Sequence, residues 1–236
     1  FYTLLPIAII ALLLAIFLMK NVTEQKKIGV DTLSIIFSSF GWGGLLYGFS
    51  MVGSVGWTDR NVIIALLIGA ISLVIFIRRQ LQQAEPMLNF DVFKSREFTI
   101  TTILGVLMFT SMIGVQIILP SYVRQVKGAS AFVSGVMLLP GAIITGVMSP
   151  IAGRLFDRFG ARGLAIIGFF FMFISTILYL TIDLESSFSF IAVIFSIMML
   201  GISLLLTPLM TSGINSLPFE LIAHGAAMNN TIRMVG

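Results

Sequence analysis

With 236 residues, 58% of them hydrophobic and only 10% charged, the chain is too apolar for a soluble domain, where roughly 25% of residues are charged. A mean hydropathy of +1.07 and a net charge of +4 describe a polytopic membrane protein whose basic residues set orientation, not a nucleic-acid binder. The absence of Cys and the presence of one His, His224, exclude disulfides, thiolate metal sites and His-cluster metal centres.

Charges mark the ends of the apolar runs. Phe1 to Met19 carries none and predicts the tail of a span in a fragment cut at both ends. It has neither the basic start nor the small-residue cleavage site of a signal peptide. Lys20, Glu24, Lys26, Lys27 and Asp31 form a polar link. Thr32 to Thr58 is uncharged and predicts a second span, with Trp57 as an interfacial anchor. Asp59 and Arg60 make a tight turn, and Asn61 to Ile77 gives a third span. Arg78 to Glu97 is a polar connector. Within it Met87, Leu88, Phe90 and Phe93 fall near one side of a possible short helix, suited to lying on the membrane surface.

The fourth span is Phe98 to Val123, closed by Arg124 and Lys127. The fifth runs from Gly128 to about Pro150, and the sixth from Leu164 to Ile182, ended by Asp183 and Glu185. Ser186 to Phe219 is uncharged, far longer than the roughly 20 residues an untilted span needs. It predicts a seventh helix to about Thr211, a return to the surface at Pro218–Glu220, and an eighth helix from near Leu221. The expected fold is all-α, a polytopic membrane helix bundle of about eight transmembrane segments. If the first span runs inward, ten Lys and Arg are cytoplasmic, three are outside and Arg233 lies within the last span. That bias places Arg154, Arg158 and Arg162 in the cytoplasm.

Those arginines surround Asp157 in Gly153–Gly163, GRLFDRFGARG, read as a short charged loop reversing the chain between two spans. Gly160 takes positive φ at no steric cost, and Asp157 is expected to accept backbone N–H bonds where the next helix begins. The stretch resembles the cytoplasmic motif G-x-L-a-D-r-x-G-r-r/k of the major facilitator superfamily through Gly153, Leu155, Asp157, Arg158, Gly160 and Arg162. Ala161 departs where a basic residue is usual. In that family the acid and arginine form a charge network with a neighbouring helix and latch one conformational state. EPMLNFDVFKSREFTI, LPSYVRQVKGASAFVSGVMLLPGA and GAAMNNTIRMVG resemble the fourteen-helix drug:proton antiporters of the EmrB/QacA type.

The resemblance implies a major facilitator bundle that is incomplete. Residues 1–20 would be the last helix of the N-terminal bundle, 21–81 two inserted helices with their links, and 82–97 a cytoplasmic amphipathic connector. Residues 98–236 would be the C-terminal six-helix bundle lacking its final helix. It implies proton-driven efflux of lipophilic or cationic drugs by alternating access, in a bacterial plasma membrane. The partners are a small-molecule substrate, protons, the lipid bilayer and the missing N-terminal bundle of the same protein; nucleic acid is not among them.

Within the spans, Gln116, Asn229, Asn230 and Arg233 are the candidates for a substrate cavity, because polar groups at membrane depth face the bundle interior. The bland readings are an interhelix hydrogen bond for Gln116 and snorkelling to the surface for Arg233. Thirteen Met and 21 Phe could line an adaptable pocket or simply face lipid and core. Gly135, Gly141, Ala142, Gly146, Ala152 and Gly153 are expected to serve close helix packing, and His224 a surface loop. No Ser-His-Asp set, carboxylate pair or phosphate-cradling loop is present, so no catalytic residue, cofactor or metal is expected. Other readings are a carrier for a nutrient, lipid or metabolite, a membrane-embedded transferase, and a non-transporting partner or sensor.

Overall fold

The computed structural model describes residues 4–18, 31–83 and 86–235. Its helices are α1 (Leu4–Leu18), α2 (Thr32–Val55), α3 (Arg60–Gln82), α4 (Arg96–Gln125), α5 (Ala131–Tyr179), α6 (Phe188–Asn215) and α7 (Ile222–Val235). Short 3-10 turns occupy Phe90–Lys94 and Phe219–Leu221. Among the described residues, five helices, α2 to α6, are long and apolar enough to cross a membrane. The chain divides into two compact units within α3, Phe1–Leu73 and Val74–Gly236.

In the first unit, Asp31 caps α2: its carboxylate accepts the Ser34 amide at 3.3 Å and the Ser34 hydroxyl at 2.5 Å. A side chain on Gly44 would lie 2.8 Å from the Ala65 carbonyl oxygen, and one on Gly69 2.7 Å from the Leu45 nitrogen. The α2 and α3 backbones therefore touch, the close approach that small residues allow in lipid. Trp57 is exposed and meets the Phe49 ring edge-on at 6.2 Å.

The second unit is built around α6. It has 61% of its apolar window buried, against 17% for α4 and 22% for α5, so it is the core helix of this unit and they are its shell. Met198, Ile202 and Leu205 of α6 pack with Met108 and Val123 of α4 and with Met137 and Met172 of α5. The 49 residues of α5 form two legs joined at Gly160, whose φ of 74° and ψ of 173° are the only non-helical angles inside the element. Gly141 of the first leg meets Phe195 and Met199, while Met172 of the second meets Gly201. Both legs thus flank one stretch of α6, and the chain reverses between them.

Several expectations are corrected here. The first leg does not stop at Pro150. It continues as helix through Gly153 and Arg158 to Phe159, and Gly160 alone makes the reversal. α6 runs past Thr211 to Asn215 before Pro218 ends it. In the connector, Leu88, Phe90 and Phe93 are half-buried and pack around buried Val92, Phe98, Leu217 and Met228, while Met87 stays exposed. Apolar side chains that can reach a protein groove gain the same removal from water there. His224 lies in the first turn of α7, not in a loop, and its Nδ1 donates to the Met87 carbonyl at 3.2 Å.

Side-chain bonds gather the ends of the second unit. At one end Ser95 and Ser216 hydroxyls are 2.9 Å apart, and the Ser212 hydroxyl donates to the Glu97 carboxylate at 2.6 Å. At the other end, Lys127 Nζ donates to the carbonyls of Leu184 (2.8 Å) and Ser186, and Tyr122 donates to Asp183 O at 3.0 Å. The Asp183 carboxylate accepts from the Ser186 hydroxyl (2.7 Å) and amide (2.7 Å).

Candidate functional site

Between α4, the first leg of α5, α6 and α7 lies a cavity of about 830 Å³. Its wall is mostly apolar. Phe109 and Met112 come from α4, and Phe195, Met199 and Met210 from α6. Part of the Phe and Met content thus lines a pocket, while Phe132, Phe170 and Phe173 are exposed on the outer face. Thioethers and aromatic rings make a wall that adapts to varied apolar shapes.

Five polar side chains interrupt this wall: Gln116, Thr145, Thr207, Thr211 and Arg233. Thr145 returns its hydroxyl to the Gly141 carbonyl at 3.0 Å. Gln116 and Arg233 make no hydrogen bond or ion pair among the described residues. The Arg233 guanidinium stacks on the Phe109 ring, 4.1 Å from its centroid. Phe109 is 13 residues from the start of the 30-residue α4 and 16 from its end, so the pair lies at mid-depth of the bundle. Arg233 therefore does not snorkel. Of the lining residues it alone is charged.

The sequence candidates divide. Gln116 and Arg233 meet in the cavity. Asn229, one turn before Arg233 on α7, is buried without lining it, and Asn230 is exposed. The expected small-residue packing also divides. A side chain on Gly141 would come within 2.5 Å of the Phe195 ring, and Ala152 is fully buried. Gly135, Gly146 and Gly153 have open space instead. The closest approach to backbone in this unit involves two glycines outside that set: a side chain on Gly201 would lie 2.6 Å from the Gly168 carbonyl oxygen.

At the Gly160 end, Asp157 lies in the last turn of the first leg. It is exposed and caps nothing: among the described residues it makes no hydrogen bond or ion pair. A carboxylate in a C-terminal turn opposes the helix dipole, whereas Arg154 and Arg158 in the same turn suit it. Arg158 lies over the Phe159 ring at 5.3 Å. Gly153 and Leu155 are half-buried on this leg. Arg162, just past the turn, lines a cleft of about 430 Å³ with Glu97, Ser212 and Asn215. Glu97 and Ser212 were not anticipated. Their only signal was polarity beside a span end, which the reading took for a boundary.

A family model described as Major Facilitator Superfamily matches residues 1–236. The chain belongs to the major facilitator superfamily. It is 51% identical over 236 residues to the MFS-type transporter YcnB of Bacillus subtilis, covering 100% of this chain and 50% of that protein. It is 38% identical over 235 residues to the lincomycin resistance protein LmrB of Listeria monocytogenes, with 100% and 50% covered. The multidrug resistance protein Stp of Mycobacterium tuberculosis is 22% identical over 236 residues, with 100% and 44% covered. The chain spans about half the length of the curated relatives it matches. It is thus a chain of a superfamily transporter, not of an enzyme, and a multi-pass protein of a bacterial cell membrane.

Within the superfamily, the helical arrangement gives each feature a place. The cavity opens among four helical segments around α6. The turn at Gly160 stands at the end where Glu97 and Ser212 meet, remote from Lys127 and Asp183.

Proposed function

We propose that this chain is part of a proton-driven exporter of the fourteen-helix EmrB/QacA branch, moving lipophilic or cationic drugs outward by alternating access. The observation that carries the reading is the mid-depth cavity, walled by Phe and Met and crossed by a few polar groups. Such a wall suits varied, largely apolar cargo. The resistance functions printed in the names of LmrB and Stp point the same way. The N-terminal bundle of the same protein would form the opposite wall, and the two would rock about a shared midplane site.

The GRLFDRFGARG turn acts as the conformational latch in this scheme, through Gly153, Leu155, Asp157, Arg158, Gly160 and Arg162. An acid without a partner, set against its own helix dipole, gains from a group presented by another helix in one state only. The coupling proton is carried by a carboxylate outside this stretch. Among the described residues no acid lines the cavity; the ten acids of the chain include Glu97, Asp157 and Glu220 near one end and Asp183 and Glu185 near the other. The test is dye efflux from vesicles holding the full-length protein, driven by an imposed proton gradient. Efflux that collapses with a protonophore supports the reading. Gradient-independent behaviour or uptake of a nutrient replaces it with the carrier reading.

A further inference from the structure

Among the described residues, one formal charge lines the cavity and it is positive. Arg233 brings a guanidinium to mid-depth, where burying a charge is costly unless hydrogen bonds and an opposite charge compensate it. Its π face is occupied by Phe109, 4.1 Å away. Its five N–H donors remain, and they make no hydrogen bond or ion pair among the described residues. Gln116, with an amide that donates as well, lines the same space and is equally without a bonded neighbour there. A planar fork of donors fixed against a ring is the arrangement that takes a carboxylate in bidentate fashion. A purely cationic guest would meet repulsion from Arg233 on this wall, with no acid to offset it.

We infer that Arg233, held on the Phe109 ring, selects cargo that pairs a broad apolar body with a carboxylate or an equally strong anionic acceptor, so that amphiphilic acids and zwitterions are preferred over cations of the same shape. This rests on the exporter reading for the cavity and narrows it. The apolar body lies along the Phe and Met wall, and the acid end reaches Arg233 and Gln116. The counter-charge that Arg233 needs is thus carried in by the substrate. A carboxylate from elsewhere in the protein is the competing source, and the experiment separates the two.

Purified full-length protein is titrated with a fluorescent xanthene dye bearing a free carboxylate, and with its methyl ester, a cation of nearly the same shape. Binding is followed by fluorescence polarisation. A hydrogen-bonded charge pair predicts that wild type binds the acid about tenfold more tightly than the ester. Arg233→Gln should remove that preference by weakening the acid and tightening the ester, because the pairing with the acid and the repulsion of the cation are both lost. Arg233→Lys should retain part of the preference, because the charge stays and the fork is lost. The proposal is overturned if wild type shows no preference, if Arg233→Gln weakens both dyes equally, or if the preference survives the substitution. An internal carboxylate on Arg233 would give the first of these. Binding needs no transport, so absent dye efflux with an intact acid preference would refute export and not this assignment.

Discussion

Replacing Gly201 by Ala tests whether the α5–α6 crossing is as close as the backbone geometry requires. The added Cβ would lie 2.6 Å from the Gly168 carbonyl oxygen and 3.1 Å from the Met172 nitrogen. Ordinary contact begins at 3.4 Å, so one helix must retreat by about 0.8 Å. Both obstacles are backbone, which cannot rotate away as a side chain can. Overpacking of this kind costs about 1–3 kcal/mol. Alanine recovers about 1 kcal/mol of helix propensity over glycine, leaving a net loss of up to about 2 kcal/mol. Gly146, with nothing within 4 Å of its added Cβ, is the internal control and should be neutral or slightly stabilised by the same change. In thermal unfolding of the purified full-length protein, Gly201→Ala should melt several degrees lower, at about 2–4 °C per kcal/mol. If Gly201→Ala melts at or above wild type, or Gly146→Ala falls as far, the packing argument is wrong.

Asp157→Asn should leave expression and melting unchanged, since the carboxylate bonds nothing among the described residues, yet slow dye efflux; unchanged transport would refute its latch role. Cysteines placed at Leu184 (69% exposed) and Phe219 (90% exposed) should label from opposite faces of the membrane, Phe219 from the cytoplasm; labelling from one face overturns the topology. The Asp183 carboxyl is held below its ordinary value, first by the Ser186 hydroxyl and then by the Ser186 amide, with Lys127 adding a smaller pull. A depressed folded pKa stabilises above the unfolded value of about 3.9 and loses that contribution as pH falls through the folded value. The melting difference between wild type and Asp183→Asn should therefore be constant near neutral pH, begin to shrink near pH 4 and vanish only below the folded value; a difference that grows on acidification contradicts it. Neutralising each of the ten acids singly should leave substrate-induced proton release intact, and one substitution that abolishes release while binding persists would relocate the coupling site to this stretch.

What could be read from the residues was set by charge and hydropathy. The runs around Thr32–Thr58 and Phe98–Val123 locate α2 and α4 closely, because a charged side chain is costly in the bilayer core and marks its edge. Arg233 was legible for the same reason. Phe109 was not: an aromatic ring in mid-span has the same sequence signature whether it faces lipid or a cavity. The crossing of Gly168 and Gly201 was missed because small residues elsewhere in α5 looked equally suited, and only the rotation of each leg about α6 decides which are used. The protein groove beside the connector was not legible either. Amphipathic spacing says that one side seeks burial, and the groove formed by Phe98, Leu217 and Met228 comes from segments far along the chain.

The reversal at Gly160 also fixes what the two legs of α5 can do mechanically. Helix runs to Phe159 and resumes at Ala161, so the junction contains a single residue with freedom and no spare length. The legs can pivot about that point, but neither can slide past the other by a turn, because about 5.4 Å of slack would be needed and one residue supplies at most about 3.6 Å. Any axial shift of the first leg, which walls the cavity through Leu138 and Ala142, must therefore pass to the second leg, which is packed on α6 at Gly168. The junction is a pin rather than a tether, and lengthening it by a few glycines would uncouple the cavity wall from the core helix.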